Sequence, residues 1–188
     1  MSNNAANVSV GKPKTGGAIY TAPLSTALPT DATTALSSDY TCLGYANEDG
    51  LVNGAETDSQ DIVAWGGEKV LTVRTSYSET YAFTLIESRN VDVLKNVYGE
   101  GNVTGTIDTG VTVQHTSEDL PLKRWVFEIV MSNDTAKRIV IPSGKVTEVG
   151  EVTYADGDAI GYETTISAFP DASGVTAYEY IVSTAAAG

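Results

Sequence analysis

Lys69-Val-Leu-Thr-Val-Arg-Thr-Ser-Tyr-Ser-Glu-Thr-Tyr-Ala-Phe-Thr-Leu85 alternates apolar and polar side chains with a period of two. Leu71, Val73, Thr75 and Tyr77 share one face, and Tyr81, Phe83 and Leu85 share one face of the continuation, the pattern of half-buried strands and not of a helix. Ser78 and its neighbours interrupt the run, so the stretch predicts a β-hairpin turning near Ser78. The same period returns downstream in Val103 to Thr116 with a turn at Asp108-Thr-Gly, and in Trp125, Phe127, Ile129 and Met131 before a turn at Asn133-Asp-Thr. Ile139-Val-Ile then precedes Pro142-Ser-Gly, and Val146 to Tyr154 precedes Ala155-Asp-Gly-Asp. Ile160, Tyr162, Thr164 and Ile166 alternate ahead of Pro170-Asp-Ala-Ser-Gly, and Val175 to Ser183 closes the series. Eight or more short strands at regular intervals predict an antiparallel β-sandwich or barrel.

One segment breaks the period. Val91, Leu94, Val97 and Tyr98 recur three or four apart while Asp92, Lys95 and Asn96 point elsewhere, which predicts a short helix packing that apolar face on the sandwich. Ser88 or Asn90 caps its start and Gly99 ends it. Upstream, residues 1–38 are rich in Ala, Thr, Ser, Asn and Gly and broken by Pro13, Pro23 and Pro29, with Ala18-Ile-Tyr-Thr alone resembling a strand. So few large apolar side chains do not offset an ordering cost of about 1–2 kcal/mol per residue, and the segment reads as an extended arm that orders by docking on something else. Residues 39–183 then form the β domain, and 184–188 a flexible tail. Within the domain Tyr40 to Tyr45 reads as a strand, and Asn47 to Asp61 as a long polar loop before Ile62-Val-Ala-Trp. Loops of that length in a compact domain are usually functional or disordered, which makes Asn47, Glu48, Asp49, Gly50 and Asp58 candidate assembly-loop residues.

With 188 residues, 41% hydrophobic and 19% charged, the chain suits one domain with extensions. No run approaches the length of a membrane-spanning helix, and Met1-Ser2-Asn3-Asn4 has neither the basic flank nor the apolar run of a secretory signal, so no membrane partner is expected. A single cysteine, Cys42, leaves no internal disulfide, and a single histidine, His115, leaves no multi-histidine metal site. Cys42 reads as a small buried apolar side chain and His115 as an edge-strand residue; a thiol catalyst would need these two to meet. Asp156-Gly-Asp158 begins like a calcium loop, yet Ile160 and Ser167 stand where that loop needs an oxygen ligand and a closing acid. Trp65-Gly66-Gly67 lacks the Lys-Ser/Thr of a phosphate-binding loop and reads as a bend between strands. No catalytic residue, metal ligand or cofactor site is therefore assigned.

Charge is the sharper quantity: 24 acidic and 11 basic residues leave a net charge of −13. Residues 1–68 hold Lys12 and Lys14 against eight acids, and the last 43 residues hold seven acids and no base. Nucleic-acid binders need the opposite balance, since affinity comes from cations displacing the counterions of phosphates.

Several short motifs occur in a fixed order: Val8-Ser-Val-Gly-Lys-Pro with Ala18-Ile-Tyr-Thr-Ala-Pro, Leu43-Gly-Tyr followed by Glu48-Asp-Gly-Leu, Ala64-Trp-Gly-Gly, and Glu87-Ser-Arg-Asn-Val-Asp-Val-Leu ending in Tyr98-Gly. Across nearly the whole chain this resembles the major tail (tail tube) proteins of long, non-contractile-tailed bacteriophages, those of actinobacteria in particular. The resemblance implies a β-sandwich flanked by a short helix, which closes into hexameric rings stacked around a tape-measure protein and meets tail-tip and terminator proteins. It implies a virion protein assembled in the bacterial cytoplasm, with DNA as transiting cargo only. Relatives that carry an additional immunoglobulin-like domain continue beyond the equivalent of Val182, where this chain has only Ser-Thr-Ala-Ala-Ala-Gly, so that domain is not expected here. The acidic balance suits such a duct, because carboxylates repel phosphates over a screening length of about 8 Å. Two alternatives stay open: a monomeric virion accessory or adhesin-like β-sandwich, and a small hydrolase on a β scaffold.

Overall fold

The computed structural model describes residues 3–184. The expected tail 184–188 lies outside them except for Thr184. In chain order the elements are β1 (Gly11–Pro13), β2 (Ile19–Ala22), β3 (Thr41–Cys42), β4 (Val52–Val63), β5 (Lys69–Leu85), α1 (Val91–Tyr98), β6 (Val103–Thr106), β7 (Gly110–Val113), β8 (Lys123–Met131), β9 (Thr135–Val149), β10 (Tyr162–Ala168) and β11 (Tyr178–Ser183). All pairings are antiparallel. One sheet runs β3-β2-β8-β9-β10-β5-β4, with β1 also on β8 and β11 also on β9, while β6 and β7 form a separate ribbon. The fold is the expected mainly-β sandwich with one short flanking α-helix among the described residues.

β9 makes the sandwich possible. Its first half pairs with β8 and β11 and its second half with β10, so one strand serves both layers. Pro142-Ser143-Gly144 lies within it and marks no turn, contrary to the sequence expectation: the strand continues through the Pro-Gly and bends there. A Cβ on Gly144 would stand 2.8 Å from both Ile166 and Trp125, so the bend brings two layers to a backbone with no side chain. The β8–β9 register shifts between Lys123 and Trp125, beside this bend.

Folding the sheet over brings β5 against β8, its distant neighbour in strand order. Tyr81 stacks on Phe127 with ring centroids 5.8 Å apart, and Phe83 meets Phe127 edge-on at 5.5 Å. Trp125, Ile141 and Ile166 are buried beside them. Helix α1 closes this core: Asn90 accepts from the Asp92 N–H at 3.0 Å as the N-cap, and the Gly99 N–H returns to the Lys95 carbonyl. Leu94 and Val97 are buried, Val91 and Tyr98 are half-buried against the core, and Val93, which the period did not single out, is fully buried. Asn96 is also buried, where the sequence placed it outward; its amide donates to the Asp92 carbonyl and its oxygen accepts from Lys123 Nζ at 3.1 Å.

The opposite face of β8 and β9 carries a second, smaller core of Ala22, Tyr40, Val126 and Val140. Residues 23–40 cover it. Arg138 and Glu128 lie beneath this cover, both buried, with Arg138 Nε donating to Glu128 Oε1 at 2.9 Å. The guanidinium also donates to the Asp31 and Thr34 carbonyls at 2.7 and 2.8 Å, tying the covering segment to the sheet. Lys14 pairs with the other Glu128 oxygen from β1's end. The N-terminal segment therefore docks on its own chain from Gly11 onward, through β1, β2 and this cover, although only one part of it carries apolar bulk.

The candidate assembly hairpin

The sequence expectation of a hairpin turning at Ser78 is corrected by the structure. β5 is one strand of 17 residues running straight through Ser78, and its partner is β4, the segment read as polar loop. Pairing extends from Val52↔Ala82 to Val63↔Lys69. The turn falls at Trp65-Gly66-Gly67, where Gly66 and Gly67 take φ of 123° and 93°, a region closed to other side chains at little strain. The Gly67 N–H donates to the Ala64 carbonyl at 3.0 Å and the Ala64 N–H to the Glu68 carbonyl at 2.7 Å.

The root of this hairpin belongs to the core and the rest does not. Tyr81, Phe83 and Leu85 are buried, whereas every residue from Ala55 to Ser78 is exposed. At about 3.4 Å per residue the free part reaches roughly 30 Å from the body. One of its faces carries Ile62 opposite Leu71, Gln60 opposite Val73, and Asp58 opposite Ser76, whose hydroxyl donates to Asp58 at 2.7 Å. The other face carries Asp61 opposite Thr72, linked at 2.8 Å, and Arg74 over the Tyr77 ring at 5.7 Å. Register shifts beside Asp58 and Ile62 increase the local twist. Toward the tip Ile62, Val63, Val70, Leu71 and a fully exposed Trp65 leave apolar side chains in solvent. A two-stranded ribbon of this kind is marginally stable in water alone.

Glu79 fixes the root. It accepts from Tyr81 OH at 2.7 Å, from Asn53 at 3.2 Å and from Thr176 of the loop before β11. Burial pushes its carboxyl upward, but these hydrogen bonds together outweigh that and hold it below the usual glutamate value. Burial first, and then the bond to Glu79, pushes the Tyr81 hydroxyl well above the ordinary tyrosine range.

Of the candidate loop residues, Asn47, Glu48, Asp49 and Gly50 form a tight turn leading into β4, closed by the Gly50 N–H on the Asn47 carbonyl at 3.3 Å and by Asn47 Nδ2 on Asp49 at 2.6 Å. Asp58 is not with them; it lies up the strand on the free hairpin. Cys42 is half-buried beside Tyr20, while His115 is exposed with its ring tilted against Tyr98 at 4.5 Å, so each is held by a different neighbour. Among the described residues no group of three or more His, Cys, Asp or Glu is placed to hold a metal ion, and no helix is long and apolar enough to cross a membrane.

These features define a β-sandwich whose longest strand pair extends beyond its own core. The family model described as phage tail tube protein matches residues 1–188, and the chain belongs to that family. Its role is thus structural, in the tail of the virion, in assembly with itself and other tail components. A search of curated proteins finds no match to it.

Proposed function

We propose that this chain closes into hexameric rings that stack into the tail tube, around a tape-measure protein and between tail-tip and terminator proteins, and that the finished tube conducts DNA into the host. Assembly takes place in the bacterial cytoplasm, and the protein performs no turnover. Residues 39–183 are the tube domain, with β1, β2 and the 23–38 cover packed onto it; of residues 1–38, the exposed stretch before Ile19 is the part that a neighbour can reach. The observation that carries this reading is the free hairpin: roughly 30 Å of ribbon with an apolar tip gains nothing in a monomer and becomes stable when a second copy covers it. The net charge of −13 supports the conduit, since an acidic excess works against retention of phosphates. Electron microscopy of the purified chain tests the reading. Rings and hollow tubes of one diameter are expected; a protein that stays monomeric at every concentration, as an accessory or adhesin-like module would, contradicts it.

A further inference from the structure

The hairpin's outer face has a chemical complement on the same molecule, in a place its own hairpin does not occupy. Along β4 the residues of one face read Glu56, Asp58, Gln60, Ile62: two acids, a polar group, then apolar surface extended by Leu71 and Val73 across the ribbon. From Ala46 to Glu68 there are six acids and no base. At the N-terminus the alternate residues read Val8, Val10, Lys12, Lys14: two apolar side chains, then two bases, and the first acid of the chain is Asp31. This strip is extended along β8, with Lys12 opposite Val130, the Lys14 N–H on the Glu128 carbonyl, and Ser9 and Val10 hydrogen-bonded to Ser132. Val8 and Val10 are 76% and 62% exposed, and Lys12 makes no ion pair among the described residues.

Both sequences are extended, so both present a like-facing side chain every two residues, about 6.8 Å apart. Laid antiparallel in one register, Asp58 meets Lys12, Gln60 with Val73 beside it meets Val10, and Ile62 meets Val8; Lys14, opposite Glu56, is already paired with Glu128 of its own chain, so Lys12 is the cation available to the hairpin. Within one chain the two surfaces stand on different edges of the sheet, β1 on the edge of β8 and β4 at the far end of the strand path. A contact between them that is passed on from subunit to subunit is heterologous and generates rings or filaments. Resting on the self-assembly reading above, we propose that the Glu56–Ile62 face of one subunit's hairpin docks on the Val8–Lys14 strip of a second copy, with Asp58 and Lys12 as the charge pair that sets the register.

Charge exchange tests it. Lys12 and Asp58 are both exposed, so Lys12→Glu and Asp58→Lys should keep the wild-type melting temperature, checked by circular dichroism. Each single variant should raise the protein concentration needed for sedimenting assemblies by at least about five-fold, and the double variant should return to within about two-fold of wild type. Asp58→Lys brings the net charge two units nearer zero, so general repulsion predicts that it assembles better; its loss of assembly would be specific to the pair. Single variants that assemble as wild type, or a double variant that is not rescued, overturn the docking while leaving self-assembly standing. Wild-type protein that never assembles overturns the self-assembly reading itself, and this docking with it.

Discussion

Arg138 and Glu128 are charges taken out of water beneath residues 23–40, and the cover depends on them. Their mutual attraction only offsets desolvation, but removing one partner leaves the other stranded. Arg138→Met is therefore expected to cost about 3–5 kcal/mol, read by urea denaturation, since Lys14 alone remains for the buried carboxylate and the Asp31 and Thr34 carbonyls lose their donors. A loss below about 1 kcal/mol would mean the segment is held by its apolar contacts. Glu79 gives a pH signature. Its carboxyl is lowered in the folded state, so its contribution is complete above the ordinary value of 4.5 and lost as pH falls below that through the folded value. Stability measured between pH 6 and 3 should fall less steeply in Glu79→Gln than in the wild type; parallel curves would show that Glu79 does not anchor the hairpin root. The Arg138–Glu128 pair was not legible in the sequence, because Glu128 between Phe127 and Ile129 and Arg138 after Lys137 read as ordinary outward-facing strand positions, and only the fold-back of residues 23–40 buries them.

At the level of elements, α1 was readable because its signals are local: Asn90 caps, Gly99 stops, and the three-four spacing of Val91, Leu94 and Val97 needs no partner strand. Leu94→Ala is expected to cost about 2–5 kcal/mol as a buried truncation, with Lys95→Ala near neutral by thermal denaturation. Similar losses for both would place the helix in a different rotation. β4 was unreadable for the converse reason. Asn53, Gly54, Glu56, Asp58 and Asp61 are poor strand formers, and what makes them a strand is the ladder offered by β5, an interaction no local window contains. The available signal lay elsewhere: Trp65-Gly66-Gly67 divides two stretches able to pair, and reading it as the hairpin turn instead of Ser78 yields the observed register. β9 was split by its Pro142-Ser-Gly for a similar reason, since those residues serve a bend as well as they serve a turn.

For the whole molecule, the acidic balance and the single-domain sandwich followed from composition and period, while the surface that does the work did not, because an assembly face is apolar residues left exposed and no sequence states exposure. Each subunit carries −13, so copies repel at long range while hairpin contacts act at short range. Raising ionic strength shortens that repulsion, and moderate salt should promote assembly in a sedimentation series while duplex-DNA affinity stays negligible throughout. Assemblies that dissolve as salt rises, or DNA binding that weakens with salt, would show attraction or a basic surface in control. The central claim, that the hairpin is an assembly element completed by another copy, is tested most directly by hydrogen exchange on the monomeric and assembled protein. The amides of residues 55–78 should exchange fast in the monomer and become strongly protected on assembly, together with those of residues 3–9, while Trp125 to Phe127 stay protected in both. Equal exchange of the hairpin in the two states would contradict it.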